Sequence, residues 1–235
     1  MTQIEFKQLI LEANYFTKYE AVVKKDTLEV YGHEALSKFD IKNEIINTEE
    51  IFRKLHHNNK LLFELEKRNK KLQIENYPLK QKLFLNFDAD IVTTKNQQHY
   101  WIQFLTQYKN DVVIEITENG SDDEVSSQIM RNFSNWLSSN GFTSALDDFA
   151  QDGSMFSFYI MNNCEYIKID KSFLQQIRIN KNYIPYLEGL LRTIKLNNQK
   201  SIIEGVETLD DLNLIRNLDY DFVQGYYFSD LSFCI

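Results

Sequence analysis

Glycine and proline are scarce. Seven glycines and two prolines, Pro78 and Pro185, are spread over 235 residues, too few for a collagenous, low-complexity or linker-dominated chain. Cysteine is rarer still. Cys164 and Cys234 are the full complement, and two thiols cannot staple a disulfide scaffold. Cys164 sits among apolar residues and is read as a buried, inert thiol. No apolar run approaches the ~18 residues that a bilayer span needs, so no membrane partner is expected. Met1–Lys7 lacks the basic start and apolar stretch of a secretory signal, which points to the cytoplasm. Basic residues are outnumbered, 26 Lys and Arg against 34 Asp and Glu, for a net charge of −8. A sequence-independent nucleic-acid binder needs a basic face to displace counterions, which argues against DNA or RNA duplexes as partners. A phosphate-bearing small molecule stays open if divalent cations stand between it and the carboxylates.

What is present is ordinary globular composition, 43% hydrophobic and 26% charged, arranged as strand-like and helix-like runs in alternation. Glu20–Lys24 and Leu28–Tyr31 read as strands around a turn at Lys25–Thr27. Ile51, Phe52 and Leu55 mark a first helix, and Leu61, Leu62, Leu65 and Leu72 a second after a break at Asn58–Asn59. Leu83–Phe87 and Val112–Ile116 read as strands, separated by a helix carrying Trp101, Ile102, Leu105 and Tyr108. Ser121–Glu124 has the form of a capping box. It opens a helix with Val125, Ile129, Phe133 and Trp136 that Gly141 closes. A short strand around Thr143–Leu146 and the strand Tyr166–Asp170 follow. A helix at Tyr186–Ile194 precedes the strand Ser201–Glu204, and a final helix with Leu212, Ile215 and Leu218 leads to Asp221–Phe228. Strict alternation implies parallel βα units. About 230 residues of them suit one closed α/β (β/α)8 TIM-like barrel, with the early strand pair supplying one antiparallel strand. A single domain over 1–235 is expected.

The informative feature is what ends each strand. Polar residues interrupt or terminate the apolar runs at Glu34, Asn86, Glu115, Asp147 with Asp148, Lys168, Glu204 and Gln224, separated by 52, 29, 32, 21, 36 and 20 residues. Most of these intervals are about one βα unit, which in a parallel barrel gathers successive strand ends on the face where such barrels place active sites. Any one carboxylate here is more often a loop cap or ion-pair partner. Eight polar residues in phase are harder to assign to structure. Five acids on one rim repel each other, and Lys168 offsets only part of that charge. Carboxylate and amide oxygens without Cys or His match Mg2+ or Mn2+ rather than zinc. The adjacent Asp147 and Asp148 suggest two ions, and a pair about 3.5–4 Å apart activates a water and stabilises the departing oxygen of a phosphodiester.

These residues stand in recognisable motifs. Tyr31-Gly32-His33-Glu34-Ala35-Leu36 resembles the motif that names the EAL family of cyclic di-GMP phosphodiesterases. Leu85-Asn86-Phe87, Glu115-Ile116-Thr117-Glu118 and Leu146-Asp147-Asp148-Phe149 resemble its next three motifs. Ile167-Lys168-Ile169-Asp170, Glu204-Gly205-Val206-Glu207 and Gln224-Gly225-Tyr226-Tyr227-Phe228 resemble the rest, in family order from about Tyr19 to Asp230. The resemblance implies a (β/α)8-like barrel with one antiparallel strand, usually dimeric. It also implies hydrolysis of cyclic di-GMP to linear pGpG with Mg2+ or Mn2+. By position, Glu34, Asn86, Glu115 and Asp147 match ligands of a first metal and Asp148 a ligand of the second. Lys168 matches a residue at the attacking water, Glu204 a proposed general base, and Glu118 a brace of the loop after the Asp pair. Leu36, Lys38, Glu20, Glu207 and Gln224 match the substrate side.

Three departures bear on affinity and regulation. Ala150-Gln151-Asp152 stands where the family has Gly-Thr-Gly or a close variant, which restricts the backbone of that loop. Lys38 replaces an arginine and loses its planar fork. Glu20 replaces a glutamine. Two function classes therefore stay open, an active phosphodiesterase and a catalytically silent module that binds cyclic di-GMP or a partner protein. Elsewhere, His56 and His57 are read as solvated, and Lys67–Lys71 as a solvated helix face rather than a nucleic-acid patch. Phe156–Tyr159 is read as barrel core or dimer contact rather than a base stack.

Overall fold

The computed structural model describes residues 13–41, 44–55, 58–117, 124–151 and 158–235. Ten strands form one sheet: β1 (Asn14–Lys24), β2 (Val30–Ile41), β3 (Glu44–Ile46), β4 (Lys82–Phe87), β5 (Val112–Thr117), β6 (Ser144–Phe149), β7 (Tyr166–Ile169), β8 (Lys200–Ile203), β9 (Phe222–Gln224) and β10 (Phe233–Cys234). Strands β1, β9, β8, β7, β6, β5, β4 and β2 follow one another in that order, and β1 also pairs β2, which closes an eight-stranded barrel. The helices around it are α1 (Thr48–Leu55), α2 (Asn59–Glu75), α3 (Lys95–Leu105), α4 (Glu124–Ser139), α5 (Phe158–Met161), α6 (Lys171–Ile179), α7 (Ile184–Leu196) and α8 (Leu209–Ile215).

β1 runs antiparallel to both of its barrel neighbours, and the other barrel pairings are parallel. The reason is length. Lys25–Glu29 is a tight connection, which suits a hairpin, whereas a parallel crossover needs a dozen or more residues. Both early strands are longer than the sequence pattern indicates. β4 pairs β2 only from Gly32 to Ala35, yet β2 continues to Ile41, so β1 and β2 extend past the barrel as an arm that β10 and β3 flank.

The polar face of α2 covers the edge of that arm. Gln73 donates to Ala35 O at 3.0 Å and Ser37 Oγ at 3.1 Å, Asn69 donates to Ser37 Oγ, and Tyr19 Oη donates to Gln73 O at 2.8 Å. Gln73 thus satisfies the carbonyl of Ala35, the last β2 residue paired to β4. Part of the Lys67–Lys71 run therefore lies inside rather than in solvent, which corrects the sequence reading. Lys70 is 2% exposed, ion-paired to an equally buried Glu66 at 2.7 Å, and its ammonium lies over the Phe87 ring. Lys71, paired with Glu75 at 3.8 Å, is exposed as expected. Phe158 and Tyr159 are exposed and not barrel core. Cys164 is buried as read, and Cys234 is exposed. His56, His57, Phe156 and the first three residues of the Ser121–Glu124 box lie outside the described residues.

The barrel interior has two storeys. Val22, Phe84, Val113, Ala145, Tyr166, Ile202 and Phe222 form a buried apolar plug, closed on one side by Tyr31. Side chains two residues apart on a strand share a face. The next inward residue on β4 to β9 is therefore Asn86, Glu115, Asp147, Lys168, then Glu204 just past β8, then Gln224. On β2 the corresponding step is Gly32 to Glu34. Gly32 is the only residue type that fits there, because a Cβ would strike the Lys82 carbonyl of β4. The plug thus forms a dry floor under a polar storey at the strands' C-terminal ends.

Candidate active site

Lys168, 1% exposed, is the hub of the polar storey. Its ammonium lies 3.0 Å from Glu34, 2.8 Å from Glu115, 2.7 Å from Asp147 and 3.0 Å from Glu204. Gln224 donates to Glu34 Oε2 at 2.6 Å and Asn86 to Glu34 Oε1 at 2.8 Å. Asp148 joins from β6 by a backbone device. Consecutive residues of a strand face opposite sides, so Asp147 and Asp148 cannot both reach the site from a regular strand. The β6–β7 register breaks between Leu146 and Phe149, and Asp148 adopts a left-handed φ of 52°. That kink turns the second carboxylate back toward the first.

The electrostatics follow from burial and crowding. Burial pushes Glu115 well above the usual carboxylate range, helped by the charge of Glu34. Burial and neighbouring carboxylates also raise Asp147, bring Asp148 to about 6 and push Glu204 to about 8. Glu34 goes the other way: burial raises it, but the Lys168 charge and hydrogen bonds from Gln224, Asn86 and Lys168 outweigh burial. Lys168 holds its proton far above its ordinary range, because Asp147, Glu115, Glu204 and Glu34 together overcome its desolvation.

Two overlapping acid groups result, Glu34–Glu115–Asp147 and Asp147–Asp148–Glu204, each offering ligand oxygens within 4.8 Å of one another. Glu115 Oε2 is buried and accepts no hydrogen bond, while Glu115 Oε1 and Asp147 Oδ1 contact Lys168 without hydrogen-bond alignment. A buried carboxylate oxygen without a donor is costly unless a cation faces it. Fully ionised, five carboxylates and one ammonium carry four negative charges, the charge of two divalent cations. Oxygen-only ligands select hard ions. The residues present fit a pair of divalent cations.

The remaining sequence candidates fall into three groups. Glu20 stands opposite Glu34 on β1, and Leu36 and Lys38 continue along β2 past the last β2–β4 pair. Glu207 lies 3.5 Å from Arg178. Arg178 also holds Asp211 at 2.6 Å and the Gly205 carbonyl at 2.9 Å, fixing the turn that follows Glu204. Gly205 takes a left-handed φ of 73° in that turn. Glu118 and Asp152 lie outside the described residues. Sequence reasoning missed Arg178 and Lys18, the latter paired with Glu20 at 2.5 Å. The available signal for Lys18 was its place two residues before Glu20 on a strand.

Comparison with known proteins bears on the family and the fold. A family model described as EAL domain matches residues 5–230. The protein named "Probable cyclic di-GMP phosphodiesterase PdeN" of Escherichia coli is 27% identical over 96% of this chain and 45% of its own length. Cyclic di-GMP phosphodiesterase TpdA of Vibrio parahaemolyticus is 25% identical over 91% of this chain and 36% of its own. The chain thus spans less than half the length of these relatives. Among solved structures, the FimX EAL domain of Pseudomonas aeruginosa bound to c-di-GMP superposes with a TM-score of 0.77 at 18% identity, covering 95% of this chain and 93% of that one. An EAL domain protein of Listeria monocytogenes gives 0.75 at 18% identity, covering 97% and 92%. At these identities the superpositions establish the shared fold.

Proposed function

The chain belongs to the EAL domain family, and from that premise we propose that it hydrolyses cyclic di-GMP to linear pGpG with Mg2+ or Mn2+. The observation that carries the reading is the pair of acid groups sharing Asp147 around Lys168 at the barrel mouth. The named relatives PdeN and TpdA support the substrate class. Glu34, Asn86, Glu115 and Asp147 would hold one ion, and Asp147 and Asp148 the other. When bound, such a pair supplies water activation and neutralises charge on the departing oxygen.

The chain's own residues set the stage for that step. Lys168 spans the acids of both groups, holding Glu34, Glu115, Asp147 and Glu204 in a fixed arrangement. Gln224 and Asn86 orient Glu34 through both of its oxygens, which keeps it ionised. Glu204 is the most exposed of the four carboxylates on Lys168, at 15%, and is the one placed to take a proton from solvent-side water. The apolar plug below closes the barrel's other end to water. Leu36, Lys38 and Glu20 receive the substrate. A homodimer and a cytoplasmic location go with this reading; among the described residues, no helix is long and apolar enough to cross a membrane.

One observation favours the silent-module alternative. Ala150, in the loop after the Asp pair, carries a left-handed φ of 67°, a conformation that glycine adopts without strain. Metal-dependent turnover by wild type separates the two readings, and substitution then tests the residues. Glu34→Ala and Glu115→Gln should abolish metal-dependent turnover while far-UV circular dichroism stays unchanged. Normal turnover in both would remove these residues from the site.

A further inference from the structure

We infer that Arg178, outside the barrel on α6, is a positioning residue that holds Glu204 and Gln224 in place for the reaction, an inference that rests on the phosphodiesterase reading above. The strand ladder ends at Glu204, whose N–H donates to Ile169 O at 3.0 Å. Beyond it the chain turns through residues 205–208 into α8, and all three guanidinium nitrogens of Arg178 face that turn or the start of α8. Nη2 donates to the Gly205 carbonyl at 2.9 Å, while Nε and Nη2 grip Asp211 Oδ1 at 2.6 Å and Oδ2 at 2.8 Å. Nη1 lies 3.5 Å from Glu207 Oε2. Asp211 carries the clamp onward. Its Oδ2 also accepts from Glu207 N at 3.0 Å and Thr208 N at 2.9 Å, and with Thr208 it forms the capping box that starts α8.

The same turn reaches a second residue of the site. Val206 N–H donates to Gln224 O at 3.2 Å, and Val206 O accepts from Tyr227 N at 3.0 Å. Gly225, next to Gln224, lies so close that a Cβ there would strike the Val206 backbone. A shift of the turn therefore passes directly to Gln224. Glu204 lies 3.0 Å from Lys168, and Gln224 donates to Glu34 at 2.6 Å. One cation outside the barrel thus fixes a member of the Asp147–Asp148–Glu204 group and the amide that orients Glu34 in the other group. Folding gives a weaker reason for the arrangement. Without Arg178, Asp211 keeps both backbone donors and α8 keeps its cap, while the Gly205 carbonyl loses its guanidinium. Buried Phe173, Leu174 and Ile177 still anchor α6, and Ile215 still anchors α8. A two-bond grip on a carboxylate with a third bond to a carbonyl needs a planar fork, which lysine does not provide.

The test uses the full chain with saturating Mn2+ and cyclic di-GMP. Arg178→Gln and Arg178→Lys should each lower kcat about tenfold or more, since a misplacement of about 1 Å costs about a hundredfold. KM should stay within about twofold of wild type, because the loss falls on the chemical step. Ile194→Val, a small core change on α7 away from the turn, should leave kcat unchanged and controls for lost stability. Amide exchange read by mass spectrometry should quicken in both Arg178 variants across residues 205–208 and 224–227. Wild-type kcat in both variants, a loss carried by KM, or exchange that stays slow across 224–227 would overturn the inference. If wild type hydrolyses nothing, the phosphodiesterase reading fails and calorimetric titration with Mn2+ decides the positioning role by itself. Binding about tenfold weaker in Arg178→Gln keeps that role, as loss of a group that orients metal ligands predicts. Equal binding in the variant overturns it, and so does a wild type that binds no Mn2+.

Discussion

Raising the pH of the metal-free protein should weaken it, and divalent metal should reverse the loss. Glu204 provides the magnitude. Its carboxyl rises from an ordinary 4.5 to about 8, chiefly through burial, and at about 1.4 kcal/mol per tenfold in proton affinity this corresponds to about 5 kcal/mol. The native state keeps this proton while the unfolded chain has already released it. Between pH 4.5 and about 8 the native state therefore binds more protons, and stability falls as pH rises across that window. Asp148, raised from 3.8 to about 6, acts in the same direction at lower pH. Glu34 has the opposite sign, but its lowered carboxyl releases stability only as pH falls below 4.5, outside the window. Between pH 5.5 and 8.5 the Glu204 contribution alone is about 3 kcal/mol, or about 6–12 °C in Tm for a chain of this size. The assay is thermal unfolding in EDTA across that range, repeated with Mn2+. Ions at about a hundred times their Kd stabilise by about 2.7 kcal/mol per site, so the pH 8.5 curve should shift upward most. A Tm independent of pH in EDTA, or one that Mn2+ leaves unmoved, would refute the placement of these buried acids around a cation site.

Three further outcomes follow from particular contacts. Lys168→Met should cost about 3–5 kcal/mol in EDTA by leaving four carboxylates without their ammonium. Mn2+ should recover more stability in this variant than in wild type, as read by paired melting curves. Lys70→Met should cost a similar about 3–5 kcal/mol by stranding the buried Glu66, and Glu66→Leu added to it should recover most of the loss in a double-mutant cycle. Ala150→Gly should stabilise by about 1 kcal/mol, because it relieves a left-handed alanine, and urea unfolding reads this directly. A destabilised Ala150→Gly would show that the side chain packs in a way its backbone conformation does not suggest.

The polar storey was legible because it obeys two simple periods. One is the step of two along each strand that sets Asn86 above Phe84 and Lys168 above Tyr166. The other is the length of a βα unit, which brings those steps to one rim. The single antiparallel strand was legible from the short connection at Lys25–Thr27. What local pattern could not reveal was tertiary. Lys70 and Asn69 look solvated in a basic run, but β2 outruns β4, and α2 must supply polar groups to its open edge. α6 went unread even though Phe173, Leu174 and Ile177 have helical spacing; it is short, and Asp170, read as the end of a strand, caps it. Glu207 was carried over by motif position alone, and in the structure it lies half-exposed, 3.5 Å from Arg178. Asp148 lies beside Asp147 and Glu204, and the bulge and left-handed turn that bring it there left no mark in the sequence beyond the Asp pair itself.

Metal-dependent hydrolysis of cyclic di-GMP by the acids around Lys168 is the activity proposed for this chain. Its most direct test is incubation of the purified chain with cyclic di-GMP and Mg2+ or Mn2+, with an EDTA control, followed by chromatography of the products. The metal samples should contain pGpG and the EDTA sample intact substrate. Intact cyclic di-GMP under both metals would contradict it.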